Sequence, residues 1–158
     1  MAQLTPHFSA DRTVREYTEQ HYLPAAAAYL ERAANKAEIG VAIANWRHAV
    51  EQEWTALRFG ETSCVADGGQ HAFEVQVCLH DLDPKTVRVE LYADGIKGGA
   101  PVRQEMRRTR RLNGAPGGYV YSATVPAVRS PADYTARVIP YFEGVAIPLE
   151  DARILWQR

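Results

Sequence analysis

Glycine and proline punctuate this chain unevenly, and that unevenness bounds the fold more tightly than any motif. Of 11 glycines only Gly40 precedes residue 58, and of 9 prolines only Pro6 and Pro24 do. The first 57 residues instead carry dense alanine, as in Pro24-Ala25-Ala26-Ala27-Ala28. Alanine gives up no side-chain rotamers on entering a helix, so this part is predicted helical. From residue 58 the sequence turns to short runs of Val, Tyr and Thr separated by Gly and Pro, the pattern of strands and turns. The expectation is an α+β chain. A helical arm of two to three helices over 1–57 precedes an antiparallel, immunoglobulin-like β-sandwich over 58–158.

Within the arm, Ser9 is a good N-cap and Asp11 sits where the helix dipole favours a negative charge. Val14, Tyr17 and His21 follow at helical spacing, and Pro24 predicts a break or kink because it lacks an amide donor. A second helix is expected over 24–37. Beyond Gly40 the apolar stripe is clearest: Ile39, Ile43, Trp46, Val50, Trp54 and Leu57 line one helix face.

Phe73, Val75, Val77 and Leu79 alternate with polar residues as a half-buried strand does. Asp67-Gly68-Gly69-Gln70 predicts a tight turn pairing it with a strand around 62–66. Asp83-Pro84-Lys85 makes the next turn, and Val87, Val89 and Leu91 alternate after it. One exposed strand is expected over 102–112, with further strands over 119–125, 134–142 and 145–149. Short strands with turn signals every ~8–12 residues indicate a sandwich.

With 158 residues, 46% hydrophobic and 23% charged, the chain is too apolar for a disordered one and has no run approaching a membrane span. A net charge of -1 argues against nucleic acid as the main partner. The opening MAQLTPHFSADR lacks the basic head and apolar stretch of a secretory leader, and Cys64 and Cys78 are too few for a disulfide framework. A cytoplasmic setting, with no membrane partner, is expected.

Chemistry-bearing constellations are sparse. Arg103, Arg107, Arg108, Arg110 and Arg111 form a basic run that suits phosphate binding or, more plainly, protection of an exposed strand edge. Stacking aromatics are absent between Pro101 and Gly118, against single-stranded nucleic acid. The histidines His7, His21, His48, His71 and His80 never pair at the three- or four-residue spacing of zinc ligands, and are expected at the surface or as caps. Asp81-Leu82-Asp83 lacks the glycine and closing glutamate of a calcium loop and reads as a turn. No nucleotide-cradling glycine motif occurs. Trp46, Trp54 and Trp156 are candidates for a sugar-stacking platform, although the first two lie on the apolar stripe and read as core. No catalytic, cofactor-binding or metal-ligating residue is assigned.

The N-terminal run Phe8-Ser9-Ala10-Asp11-Arg12-Thr13-Val14-Arg15-Glu16-Tyr17, followed by Tyr22-Leu23-Pro24-Ala25, resembles the FSxxRxVxEY segment late in α-glucan phosphorylases. Trp46 and Trp54 in their helix, Val87-Arg88-Val89-Glu90-Leu91-Tyr92, and the stretch from Val138-Ile139-Pro140 to Ile154-Leu155-Trp156 are similar to the longer bacterial form, which carries an extra β domain after the catalytic core. These enzymes use phosphate to release glucose 1-phosphate from α-1,4-glucans, with pyridoxal phosphate on a lysine. The resemblance implies a tail region without that core, Met1 looking like an internal methionine of a longer enzyme and the chain being a tail fragment or a separately encoded tail. Lys36, Lys85 and Lys97 are the only lysines, and none lies in a segment like the family's cofactor-lysine motif. So the cofactor is expected in the parent enzyme and not here. The implied partner is the parent's catalytic core, with Tyr17, Tyr22 and Tyr29 as anchors of the arm. Homodimerisation through exposed helices is expected when that core is absent. A second expectation is α-glucan binding by the sandwich, with some of Tyr119, Tyr121, Tyr134 and Tyr141 pointing outward.

Overall fold

The structure, a computed structural model, describes residues 10–157, so the Ser9 cap and His7 lie outside the described residues. By compactness the chain divides between Asn45 and Trp46.

In the first unit, α1 spans Ala10–Tyr17, a π-helical turn follows over Thr18–Tyr22, and α2 begins at Leu23 and runs to Glu53. The expected break at Pro24 takes another form. Proline at this position offers no amide to the carbonyl four residues back. Widening the preceding turn relieves that mismatch, and Leu23 N–H there donates to Thr18 O, five residues back. Helical geometry is lost farther on instead. Ala34 is extended (ψ 159°), and Asn35, Lys36 and Ala37 have φ of 51°, 60° and 61°. Asparagine visits this left-handed region readily, whereas Lys36 and Ala37 hold it under strain. Val14, Tyr17, Tyr22, Leu23, Tyr29 and Leu30 are all exposed.

The second unit starts with Trp46 and contains the last turns of α2 and two four-stranded antiparallel sheets packed as a sandwich. Strands β1 (Arg58–Asp67), β2 (Gln70–Cys78), β3 (Val87–Ala93), β4 (Val102–Glu105), β5 (Arg107–Arg111), β6 (Gly118–Pro126), β7 (Thr135–Pro140) and β8 (Leu155–Trp156) follow in chain order. One sheet has the order β1-β2-β6-β5 and the other β4-β3-β7-β8. The β1–β2 hairpin closes through Asp67↔Gln70, with Gly68 and Gly69 at φ +55° and +78°, a conformation glycine adopts without steric cost. Alternation places Phe73, Val75 and Val77 of β2 and Val87, Val89 and Leu91 of β3 in the core.

The apolar stripe of α2 is buried only in part. Ile39 is 39% exposed, while Trp46 at 5%, Val50 at 0% and Leu57 at 0% enter the core of the second unit. Trp46 Nε1 donates to Thr86 O at 3.3 Å and its ring lies 5.5 Å from that of Phe142.

Two expected strands come out differently. The run 102–112 is not one strand: it changes sheets at Met106, which is buried and donates its N–H to Val89 O at 2.8 Å. A buried methionine in the middle of an arginine-rich run pulls the backbone inward and splits it. No strand forms over 145–149, where Pro148 lacks a ladder donor; the edge is filled by Leu155–Trp156 instead.

Candidate binding surface

Strand alternation turns Arg88, Glu90 and Tyr92 of β3, and Arg137 and Ile139 of β7, away from the core, and β8 sets Trp156 opposite Arg137. Arg137 donates from Nε (3.0 Å) and Nη2 (2.7 Å) to the same Glu90 oxygen, with only 11% and 13% of the two side chains exposed. Its guanidinium lies 4.8 Å from the Tyr92 ring and 5.3 Å from the Trp156 ring, within cation–π range. Tyr92 and Trp156 meet edge to face at 5.3 Å. Beside them Arg88 sits 3.8 Å over the Tyr141 ring. Arg88, Glu90, Arg103, Arg137 and Tyr141 line a shallow groove of about 420 Å³ on this face. Trp156 remains 40% exposed, so a flat apolar ligand face has an indole to stack against, with guanidinium donors at its margin. The Tyr92 hydroxyl donates to Asp94 at 3.0 Å; that bond, with burial second, pushes the phenol's pKa up.

Of the predicted platform, then, only Trp156 is presented, while Trp46 is core and Trp54 half-buried. The tyrosine expectation needs correction. Tyr119, Tyr121 and Tyr134 are buried, and only Tyr141 is half-exposed. The register explains this: Tyr119 pairs with Val77 and Tyr121 with Val75, so both share the core side of their sheet. Tyr92, the missed member, was legible as the outward residue of the Val87–Ala93 alternation.

The arginine run is divided between sheets. Arg103 lies on β4, and Arg107, Arg108, Arg110 and Arg111 lie on β5, an edge strand, all of them exposed. Arg110 reaches Glu74 at 3.6 Å, and Arg108 and Arg111 stand 5.2 and 5.8 Å from the Tyr119 ring. Charged edge strands resist pairing with other chains.

His21 and His48 are exposed as expected, but His71 is not: it is buried and its Nε2 bonds Arg129 O at 3.0 Å. His80 joins Glu53 (2.7 Å) and Asp81 (3.5 Å), a grouping hidden from sequence because Glu53 lies 27 residues away. These three offer ligand atoms within 4.8 Å of one another on an open surface. Hydrogen bonding to Glu53, then the charge of Asp81, raises the His80 pKa. Asp83 accepts from Lys85 N–H at 2.9 Å, the turn role expected of it. Lys36 and Lys85 are exposed, without the enclosed pocket that a Schiff-base lysine needs to shed its proton and exclude water. These two lysines do not fit a pyridoxal phosphate site.

No helix among the described residues is long and apolar enough to cross a membrane. No family model matches the chain. The glycogen phosphorylase of Mycobacterium tuberculosis is 29% identical over 149 residues, covering 87% of this chain and 17% of the phosphorylase. That of Mycobacterium bovis matches to the same extent. The maltodextrin phosphorylase of Thermococcus litoralis is 27% identical over 146 residues, covering 89% of this chain and 17% of that enzyme. Homologues of this chain are thus glycogen and maltodextrin phosphorylases, of whose length it spans about 17%.

Proposed function

We propose that this chain acts as a non-catalytic C-terminal accessory module of an α-glucan phosphorylase, whose parent reaction is phosphorolysis of α-1,4-glucan to glucose 1-phosphate. The observation that carries this is the similarity to two kinds of phosphorylase along nearly nine-tenths of the chain. In this reading residues 1–57 are the helical tail of the catalytic half and 58–158 the accessory sandwich. The strand orders β1-β2-β6-β5 and β4-β3-β7-β8 support an immunoglobulin-like description, matching ABED and C′CFG. The arm docks on the catalytic core through Tyr17, Tyr22 and Tyr29, all exposed. Without that core the same surface drives homodimerisation. The free thiols Cys64 and Cys78 support a reducing, cytoplasmic setting.

The test is reconstitution. Given maltodextrin, phosphate and pyridoxal phosphate, the chain alone is expected to release no glucose 1-phosphate, yet to co-elute with a phosphorylase catalytic core stripped of its own tail. Turnover by the isolated chain overturns the assignment.

A second reading, glucan binding, is supported by the exposed Trp156, which Tyr92 meets edge to face. Retarded migration in a glycogen-containing gel, abolished by Trp156→Ala, is the expected result; unretarded migration of the parent chain removes the idea.

A further inference from the structure

A second groove, of about 590 Å³, opens at the corner where the chain leaves β4 for β5. Lys85, Arg88, Arg107 and Arg108 line it, together with Glu105 and Tyr121. Four cations thus face one carboxylate, and that carboxylate stands 3.7 Å from Arg88. Among the described residues no ion pair engages Lys85, Arg107 or Arg108. Arg110, outside the groove, does have a carboxylate partner in Glu74. Edge protection alone does not explain why three unpaired cations, Lys85, Arg107 and Arg108, converge on one concavity.

Tyr121 supplies an independent observation. The residue is 4% exposed, and its buried hydroxyl has no hydrogen-bond partner in the protein. Buried polar atoms in folded chains are nearly always paired, so an orphan hydroxyl on a residue that lines a cationic groove is a donor still to be satisfied. Burial pushes the phenol up to about 12, so it remains an O–H donor at any physiological pH.

A phosphate monoester carries about -1.5 to -2 charge at neutral pH and three strong acceptor oxygens, which suit guanidinium forks and one hydroxyl donor. The cavity volume falls within the ~300–1,000 Å³ of small organic ligand sites, well beyond what inorganic phosphate fills. Gln104 and Glu105 in the same lining offer polar partners for the hydroxyls of an attached body. We propose that the β4–β5 corner groove binds a small sugar phosphate, with Arg107 and Arg108 gripping the phosphoryl dianion and the Tyr121 hydroxyl donating to it. This site shares Arg88 with the groove on the Trp156 face, but it does not depend on the chain's place in a phosphorylase.

Isothermal titration of the full chain with glucose 1-phosphate, inorganic phosphate and glucose tests it at low and physiological salt. Saturable binding of the sugar phosphate is expected, roughly fivefold or more tighter than inorganic phosphate, with none for glucose. Arg107→Gln with Arg108→Gln should weaken binding by about tenfold or more, whereas the charge-matched Arg110→Gln with Arg111→Gln stays within about twofold. Tyr121→Phe, whose fold is checked by near-ultraviolet circular dichroism, should keep its structure and lose several-fold in affinity. No binding of glucose 1-phosphate overturns the proposal, as does equal loss in both arginine pairs, which is the mark of diffuse electrostatics. Equal affinity for inorganic phosphate overturns the sugar assignment, and unchanged affinity in Tyr121→Phe removes the hydroxyl from the site.

Discussion

The arm and the sandwich unit are written in different alphabets and hold themselves together by different means. Alanine and regular apolar spacing make the arm helical through local propensity, yet its Tyr, Leu and Val side chains remain in solvent. The sandwich unit has weak local preferences, and its strands exist because two sheets bury each other's inner faces. The α2 stripe crosses from one regime to the other: it is exposed at Ile39, and within the second unit it is buried at Trp46 and Val50. Periodicity alone therefore marks which residues share a face, while burial depends on what that face meets.

That contrast can be broken experimentally. Leu57→Ala empties a fully buried position and is expected to cost about 2–5 kcal/mol in urea unfolding, whereas Tyr29→Ala in the arm should fall within about 0.5. Equal effects would erase the distinction. Arg137→Ala strands Glu90 in a nearly buried setting, and a loss of about 3 kcal/mol is expected; Arg137→Met with Glu90→Leu should recover most of it. Residues 46–158 produced alone should melt within about 4 °C of the full chain, while deleting 30–57, which removes Trp46, Val50 and Leu57, should abolish cooperative melting.

The smallest effect is electrostatic. Because the His80 pKa is raised in the fold, the charged clasp to Glu53 and Asp81 contributes fully below the ordinary histidine value near 6.5 and fades as pH rises through the elevated one. A slight fall in Tm across that window, absent in His80→Gln, is the outcome to measure. A rise would invert the assignment.

Much of the sandwich was legible because strand signals are short-range. The Asp67-Gly68-Gly69-Gln70 turn and the alternations of β2 and β3 each need fewer than ten residues to declare themselves. What escaped depends on distant partners. Nothing local announces that Met106 anchors to Val89, that a two-residue strand at Leu155–Trp156 completes a sheet, or that Glu53 meets His80. The inward tyrosines fall between these cases: their parity was readable, but which parity faced the core was set by pairing with Val75 and Val77. The Trp156 face was half legible for the same reason, since Tyr92 shows its orientation locally and its neighbour only through β8.

Gly117 is held at φ +69°, and a methyl group there would fall 2.1 Å from the His80 carbonyl oxygen. Leu79 N–H also bonds Gly117 O at 2.8 Å, so the exit from β2 and the entrance to β6 are stitched together at one point. These neighbours in one sheet are separated in sequence by the whole excursion through β3, β4 and β5 into and out of the opposite sheet. The stitch therefore closes a loop of nearly forty residues, from 79 to 117, whose ends must find each other before the β1-β2-β6-β5 sheet is complete. In kinetic terms assembly depends on chain closures over long spans, this one and the longer one between β3 and β7, more than on the quick local helices of the arm.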